Sequence, residues 1–384
     1  YSIQRGEEDS FLKIKDKNAN LIFEHDRAEK GEFSYNSKYA IFAIKEWKDT
    51  ITEMKRRKVK KGKMPMDSLG IFNLQNKKLV KISNIKSYKN PEKWSGYLAY
   101  TNDLTSKHKK DTIKEKKTNK KPSSKNGYPL IIRNLDTEEE DTIPFVLDYT
   151  FSKEEKFISY ITSGEKNSTK PGIYVKDLSN NVTKHVYESH VKTKYHKLEL
   201  SDSGKHLAFI VDTDSTKAYK RNKELYTWDQ KNDLKLILDS NSSPDGYQVS
   251  SDSQINFSED ETKLYFGLAL PEIYQDTLLL KDEIVDVEVW TYDEPRLYTI
   301  QEMQLNNDRK KSFKSVYHLD DEKVIQIATK EFPNSITSIS GNNKYALVSN
   351  PKPYQLSSQW TALFSKNDLA VKNINNGESK IIIK

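Results

Sequence analysis

Leu198 to Asp212 reads LELSDSGKHLAFIVD. A short apolar approach, Leu198 and Leu200, enters a polar turn, Ser201-Asp202-Ser203-Gly204-Lys205. Asp and Ser bond their own backbone in turns, and Gly204 takes positive φ without strain. The run that follows, Leu207-Ala208-Phe209-Ile210-Val211, is too short and too β-branched for a helix. It reads as a strand buried on both faces.

The same pattern returns at Glu32 to Ala43 (EFSYNSKYAIFA), Tyr149 to Ile161 (YTFSKEEKFISYI), Ile255 to Gly267 (INFSEDETKLYFG) and Ile336 to Ser349 (ITSISGNNKYALVS). A degenerate copy is Trp94 to Tyr100 (WSGYLAY). With Lys38, Gly96, Lys156, Lys205, Lys263 and Lys344 as markers, the gaps are 58, 60, 49, 58 and 81 residues. A period near ~40–50 residues marks a propeller blade, so the longer gaps require insertions. Two further strand-like runs follow the units. After Val211 come Glu224 to Trp228 and Leu234 to Leu238. After Ile161 come Gly172 to Leu178 and Val182 to Tyr187. Such a meander, with one further strand, is a four-stranded blade.

The expected fold is therefore an all-β propeller of six or seven mostly four-stranded blades, incomplete or open, with loop insertions. It forms one domain over 1–384. The blades fall near 32–83, 94–146, 149–188, 195–239, 252–303 and 304–384. Phe313 to Leu319 and Lys323 to Ala328 either finish the fifth blade or begin another. Phe11 to Ile14 and Leu21 to Phe23 form a hairpin ahead of the first unit.

Composition sets bounds. Of 384 residues, 35% are hydrophobic and 31% charged, with 22 Tyr and 14 Phe. No apolar run approaches the ~18 residues of a membrane span. The absence of cysteine excludes disulfides, thiolate metal sites and a Cys nucleophile. The net charge of +7 equals that of residues 105–127 alone, where nine Lys face Asp111 and Glu115. No aromatic side chain interleaves these lysines, so a solvated, disordered insertion is preferred to a nucleic-acid or membrane-surface site. The run Lys55 to Lys63 (KRRKVKKGK) follows Trp47 to Met54, which reads as a short helix projecting from the first blade.

Chemical motifs are sparse. No two glycines lie four apart, so there is no Gly-x-Ser-x-Gly elbow, and no P-loop or His-Glu-x-x-His occurs. His185, His190 and His196 match no common metal spacing. The acidic turn Asp136 to Asp141 and the pair Glu154-Glu155 offer carboxylates for a cation or an amine, but solvated turns are the preferred reading. No catalytic, metal or cofactor residue is assigned.

Val285 to Gln301, VDVEVWTYDEPRLYTIQ, stands apart. Val285, Val287 and Val289 alternate as in a strand with one exposed face. Trp290-Thr291-Tyr292-Asp293 then enters an excursion marked by Pro295 and returns to a strand. Trp290 is either a seam residue between blades or an exposed platform, the former preferred. Asp293, Glu294 and Arg296 join it as a candidate contact surface.

This stretch resembles the N-terminal β-propeller of bacterial prolyl oligopeptidase-family serine peptidases, especially long secreted ones of Bacteroidetes type. Met64-Pro65-Met66-Asp67-Ser68-Leu69-Gly70-Ile71 and Pro91-Glu92-Lys93-Trp94-Ser95-Gly96-Tyr97-Leu98-Ala99-Tyr100 carry the same resemblance. It implies a covalently linked C-terminal α/β-hydrolase domain, absent from this chain, that bears the catalytic Ser, Asp and His. It implies peptide substrates gated by the propeller, and a periplasmic or secreted location, although no signal peptide is visible. The paired glutamates by which exopeptidases of that family hold a substrate amine have no match here. The alternative is a stand-alone protein-binding propeller of WD or TolB-like type.

Overall fold

The computed structural model describes residues 2–3, 8–103, 120–166, 168–189, 193–213, 221–231, 234–271, 278–284, 291–361 and 366–384, the side chains of 2–3 and 359–361 apart. The chain divides into two compact units, Tyr1–Glu188 and Ser189–Lys384. Both are built of antiparallel meanders of propeller type, the all-β architecture expected.

In the first unit, blade one runs Ala28–Phe33, Tyr39–Ile44, Ser68–Asn73 and Leu79–Ile82. A three-stranded sheet, Ser2–Ile3, Phe11–Lys15 and Leu21–Asp26, precedes it. Its Leu12 and Ile14 pack with Ala40, Phe42 and Ile44 of blade one. The other face of blade one, Ile41 and Ile71, packs on Leu98, Tyr100 and Ile131. These belong to blade two, which runs Ile85–Lys89, Tyr97–Asn102, Tyr128–Asn134 and into Glu140–Phe151. Blade two thus begins at Ile85, ahead of the expected boundary at 94.

Glu140–Phe151 is twelve residues long and serves two blades. Residues up to Val146 pair with Tyr128–Asn134, and Asp148 to Phe151 pair with Phe157–Thr162. A register shift between Val146 and Asp148 marks the changeover. Phe145, at φ 52, lies beside it, and bulges of this kind bend a strand. Gly172–Asp177 and Val182–Glu188 complete blade three. Leu130 and Ile132 of blade two pack against Ile158 and Tyr160 of blade three.

In the second unit, blade four runs Lys194–Leu200, His206–Asp212, Glu224–Asp229 and Leu234–Leu238. Blade five has a split first strand, Gln248–Val249 and Asn256–Phe257, both paired to Lys263–Ala269. Phe313–His318 and Lys323–Gln326 complete it. The expected boundary at 303/304 therefore moves, and the last blade runs Asn334–Ile336, Tyr345–Asn350, Asp368–Asn373 and Ser379–Ile383. Ala208 and Ile210 pack on Leu264 and Phe266, and Val316 and Ile325 on Ala346 and Val348.

The recurrent Ser turn has a physical cause. Ser34, Ser152, Ser201 and Ser258 are all buried. Each hydroxyl accepts the backbone N–H five residues on, from Tyr39 (3.0 Å), Phe157 (3.2 Å), His206 (3.1 Å) and Lys263 (3.1 Å). Each serine N–H in turn donates to the carbonyl of that same residue. The side chain closes the five-residue turn from inside, which an apolar residue cannot do.

Candidate functional site

Four consecutive antiparallel strands put their first and third turns at one end and their second connection at the other. In each of the six four-stranded blades among the described residues the first and third turns are short, and the second connection is longer: 45–67, 103–127 and 163–171 in the first unit, 213–223, 270–312 and 351–367 in the second. The tight-turn end is bound from blade to blade. Tyr39 donates its hydroxyl to Leu135 O (2.6 Å), Trp94 its indole N–H to Ser152 O (2.9 Å), and Tyr265 its hydroxyl to Gly341 O (2.7 Å). Ser203 donates its N–H and hydroxyl to the Glu261 carboxylate at 2.5 and 2.6 Å.

The carboxylates considered in the sequence as amine or cation ligands sit at this knit end, and most of them are paired with lysine or arginine. Glu154 meets Lys93 at 2.6 Å, which holds its pKa below the usual value. Glu138 takes Lys78 and Arg133, and Asp136 faces Lys38 at 3.7 Å. His185 stacks on Tyr174 at 4.3 Å, itself stacked on Tyr160. His196 is half-buried in blade four, its pKa lowered by burial, and His190 lies outside the described residues. No group of three or more His, Asp or Glu among the described residues is arranged to hold a metal.

The long 270–312 connection carries the sequence-flagged contact surface. Trp290 and the alternating run Val285 to Val289 lie outside the described residues. The strand expected after Pro295 is instead a helix, Tyr298–Arg309. Gln301 to Leu305 are all good helix formers, and alternation stops before them. Arg296 grips Asp308 of that helix with both terminal nitrogens, at 3.3 and 2.6 Å. Gln301 donates its side-chain amide to Glu294 (3.2 Å) and to Arg296 O (2.8 Å). Arg296 and Glu294 thus fasten the helix to its own entry turn. Asp293 is exposed, its carboxyl held low by the Thr291 hydroxyl, and Tyr292 is 98% exposed. Tyr292 is absent from the contact surface read from sequence, though an aromatic three residues before Pro295 is a legible signal. No residue of the helix is buried.

In the first unit, the helix Lys48–Arg56 forms where a short helix was expected, and a 3-10 turn at Lys61–Lys63 ends the basic run. Beyond it Met64, Pro65 and Met66 line a cavity of about 560 Å³ with Lys63, Lys81 and Asn84. Residues 105–127 were expected to be disordered throughout. Lys120 to Gly127 are in fact folded, while the rest of that stretch lies outside the described residues. The Lys120 ammonium donates to Ser163 O and Gly164 O, both at 2.7 Å, and sits 4.7 Å from the Phe145 ring centroid. Burial lowers its pKa. Sequence treated Lys120 as one of nine equivalent lysines.

No protein-family model and no curated protein matches the sequence. Solved structures do match in backbone form. The propeller domain of the Trilobed protease from Pyrococcus furiosus is 9% identical over 93% of this chain and 84% of its own, with a TM-score of 0.40. TolB from Acinetobacter baumannii is 14% identical over 83% of this chain and 65% of its own, with a TM-score of 0.33. A prolyl endopeptidase is 11% identical over 98% of this chain, which spans 46% of the endopeptidase, with a TM-score of 0.43. Likenesses of this size carry no activity over to the chain.

Proposed function

We propose that this chain is the non-catalytic propeller of a prolyl oligopeptidase-like serine peptidase, and that it gates the access of peptides to a covalently linked α/β-hydrolase domain. The observation that carries the reading is the one-sided build of the blades. Every long insertion occupies the second connection, so each blade offers an elaborated end to a partner and a knit end that is closed to it. The peptidase identity itself rests on the resemblance of the Met64 to Ile71, Pro91 to Tyr100 and Trp290 to Asp293 stretches. In this reading Trp290, Asp293, Glu294 and Arg296 belong to the contact surface, with Glu294 and Arg296 holding its shape and Tyr292 and Asp293 facing outward. Function in a periplasmic or secreted setting follows from the same resemblance.

The test is the reading frame past Lys384, followed by expression of its product. A nucleophile elbow, then Asp and His within a hydrolase domain's length, is expected. That product should cleave short fluorogenic peptides and spare folded proteins, and removing residues 1–384 should abolish the discrimination. A frame without an elbow supports the second reading, a protein-binding propeller of WD or TolB-like type. The exposed Tyr292, Leu297, Tyr298 and Met303 of the 270–312 connection favour that reading.

A further inference from the structure

The cavity beside Met64, Pro65 and Met66 has a defined chemical character. The chain reaches it from the 3-10 turn Lys61–Lys63 and leaves into the blade-one strand Ser68–Asn73. Its walls are fixed. Asp67 binds Lys45 at 2.6 Å, and its carbonyl accepts the Ile85 N–H at 2.9 Å. Asn84, at φ 62, accepts the Asp103 N–H on its carbonyl at 2.9 Å. Among the described residues Glu46 is the one acidic lining residue, and its carboxylate is engaged by Arg27 (3.3 Å) and by the Trp47 N–H (3.1 Å).

Lys63 and Lys81 differ from it. Both line the cavity, both are exposed, and neither has a carboxylate partner among the described residues. Met64 and Met66 are half-buried, which leaves part of each side chain open to the cavity. Thioethers are polarisable and adapt to irregular apolar groups. An ammonium on a flexible stem captures a carboxylate as a point charge. About 560 Å³ lies within the range of small-ligand sites.

We infer that this cavity binds an apolar side chain that adjoins a carboxylate, as in a peptide segment with Leu, Met or Phe beside either its free C-terminus or an Asp or Glu. The two ammonium groups favour an anionic ligand over a neutral one and disfavour a basic one. The site does not depend on the peptidase reading, because a stand-alone binding propeller would present it equally.

The chain has four methionines, Met54, Met64, Met66 and Met303, so labelling their methyl carbons gives four NMR signals, assigned by single Met→Leu variants. Four peptides serve as probes: acetyl-Gly-Gly-Leu-Phe with a free carboxylate, its amide, acetyl-Gly-Asp-Phe-Gly amide and acetyl-Gly-Lys-Phe-Gly amide. Saturable shifts of Met64 and Met66 are expected with at least one carboxylate-bearing peptide, with Met303 unmoved. The free acid alone binding identifies a terminal carboxylate, and the Asp peptide binding as well identifies a side-chain one. The double variant Lys63→Gln, Lys81→Gln should weaken binding about tenfold, the sum of two exposed charge contacts. Equal shifts with the Lys peptide, no saturable shift at millimolar peptide, or unchanged affinity in the double variant would each overturn the inference.

Discussion

Replacing Trp94 by Ala tests how the blades of the first unit are joined. Trp94 sits in the turn between the first two strands of blade two and is 6% exposed. Its ring meets Phe151 edge-on at 5.3 Å and 89°, and Tyr97 at 6.2 Å. Its N–H reaches across to Ser152 O at 2.9 Å, in the buried Ser turn of blade three. Truncating a buried Trp costs about 3–5 kcal/mol, and the stranded carbonyl adds roughly 1 kcal/mol unless water enters. A loss of about 4 kcal/mol is expected, against about 1–2 kcal/mol for Trp94→Phe, which keeps a ring and loses the donor. With two units in the chain, a single global melt mixes their transitions. Native-state hydrogen exchange separates them: amides of Tyr97–Asn102 and Phe157–Thr162 should exchange about a thousandfold faster in Trp94→Ala, while those of His206–Asp212 keep their protection. A loss under about 1 kcal/mol, or Trp94→Phe costing as much as Trp94→Ala, would show that the indole does not join the blades.

Ser201→Ala should cost about 1–2 kcal/mol by leaving the His206 N–H without its side-chain acceptor, and Ser34 and Ser258 should behave alike in urea titrations, with Ser152 costing less because the Phe157 N–H also reaches Glu155 O (2.9 Å); a neutral result at all four would remove the explanation given for the repeat. Asp260 is held at a pKa of about 2, its burial being outweighed by hydrogen bonds from Ser258 and Thr262 and by Lys263. The folded value lies below the ordinary 3.8, so its stabilisation is full above about pH 4 and fades as pH falls toward 2. The gap in urea midpoint between the parent chain and Asp260→Asn should narrow over that window, and a gap that widens refutes the assignment. Arg296→Ala should cost under about 1 kcal/mol, since its pair with Asp308 is partly exposed, and a double-mutant cycle with Asp308→Ala should return a coupling of similar size. The chain alone should take no label from serine-directed phosphonates, because no elbow activates a serine; a stoichiometric adduct at any serine would contradict this.

The second strands and their turns were legible because two signals coincide there. A buried apolar run such as Leu207 to Val211 follows a turn whose Ser, Asp and Gly have few other uses. First strands were harder. Ile85–Lys89 reads IKSYK, with only Ile85 buried and nothing to distinguish it from a loop. The shared strand Glu140–Phe151 was hidden for a different reason: its division lies in a register shift, which leaves no mark on composition. The helix Tyr298–Arg309 was missed because alternation up to Val289 was carried forward past a proline that ends it. At the candidate site, sequence named Glu294 and Arg296 for their charge, but partners seven and twelve residues on consume both. Met64 to Met66 drew notice only as a resemblance. Lys81, which gives their cavity its second ammonium, comes from another strand and cannot be paired with Lys63 by spacing.

The uneven placement of insertions follows from what each end of a blade already does. Lengthening the Ser201 to His206 turn would remove the Ser201 hydroxyl from the His206 N–H and move Ser203 away from Glu261. At the equivalent turn of blade five it would break the bonds from Glu259 N to Ser340 O and from Tyr265 to Gly341 O. Each such loss leaves buried or half-buried polar groups unpaired, at roughly 1–3 kcal/mol apiece. Lengthening the second connection spares these bonds, and each doubling of a loop costs only about 0.6 kcal/mol. That end therefore tolerates the insertions that a partner-facing surface needs. Three places near it have fixed geometry, Lys120 held by two carbonyls, Arg296 clamped on Asp308, and Asp67, next to the Met64 cavity in sequence, paired with Lys45, and holding them ordered costs chain entropy. Those three places are where substitutions that spare stability are expected to change binding.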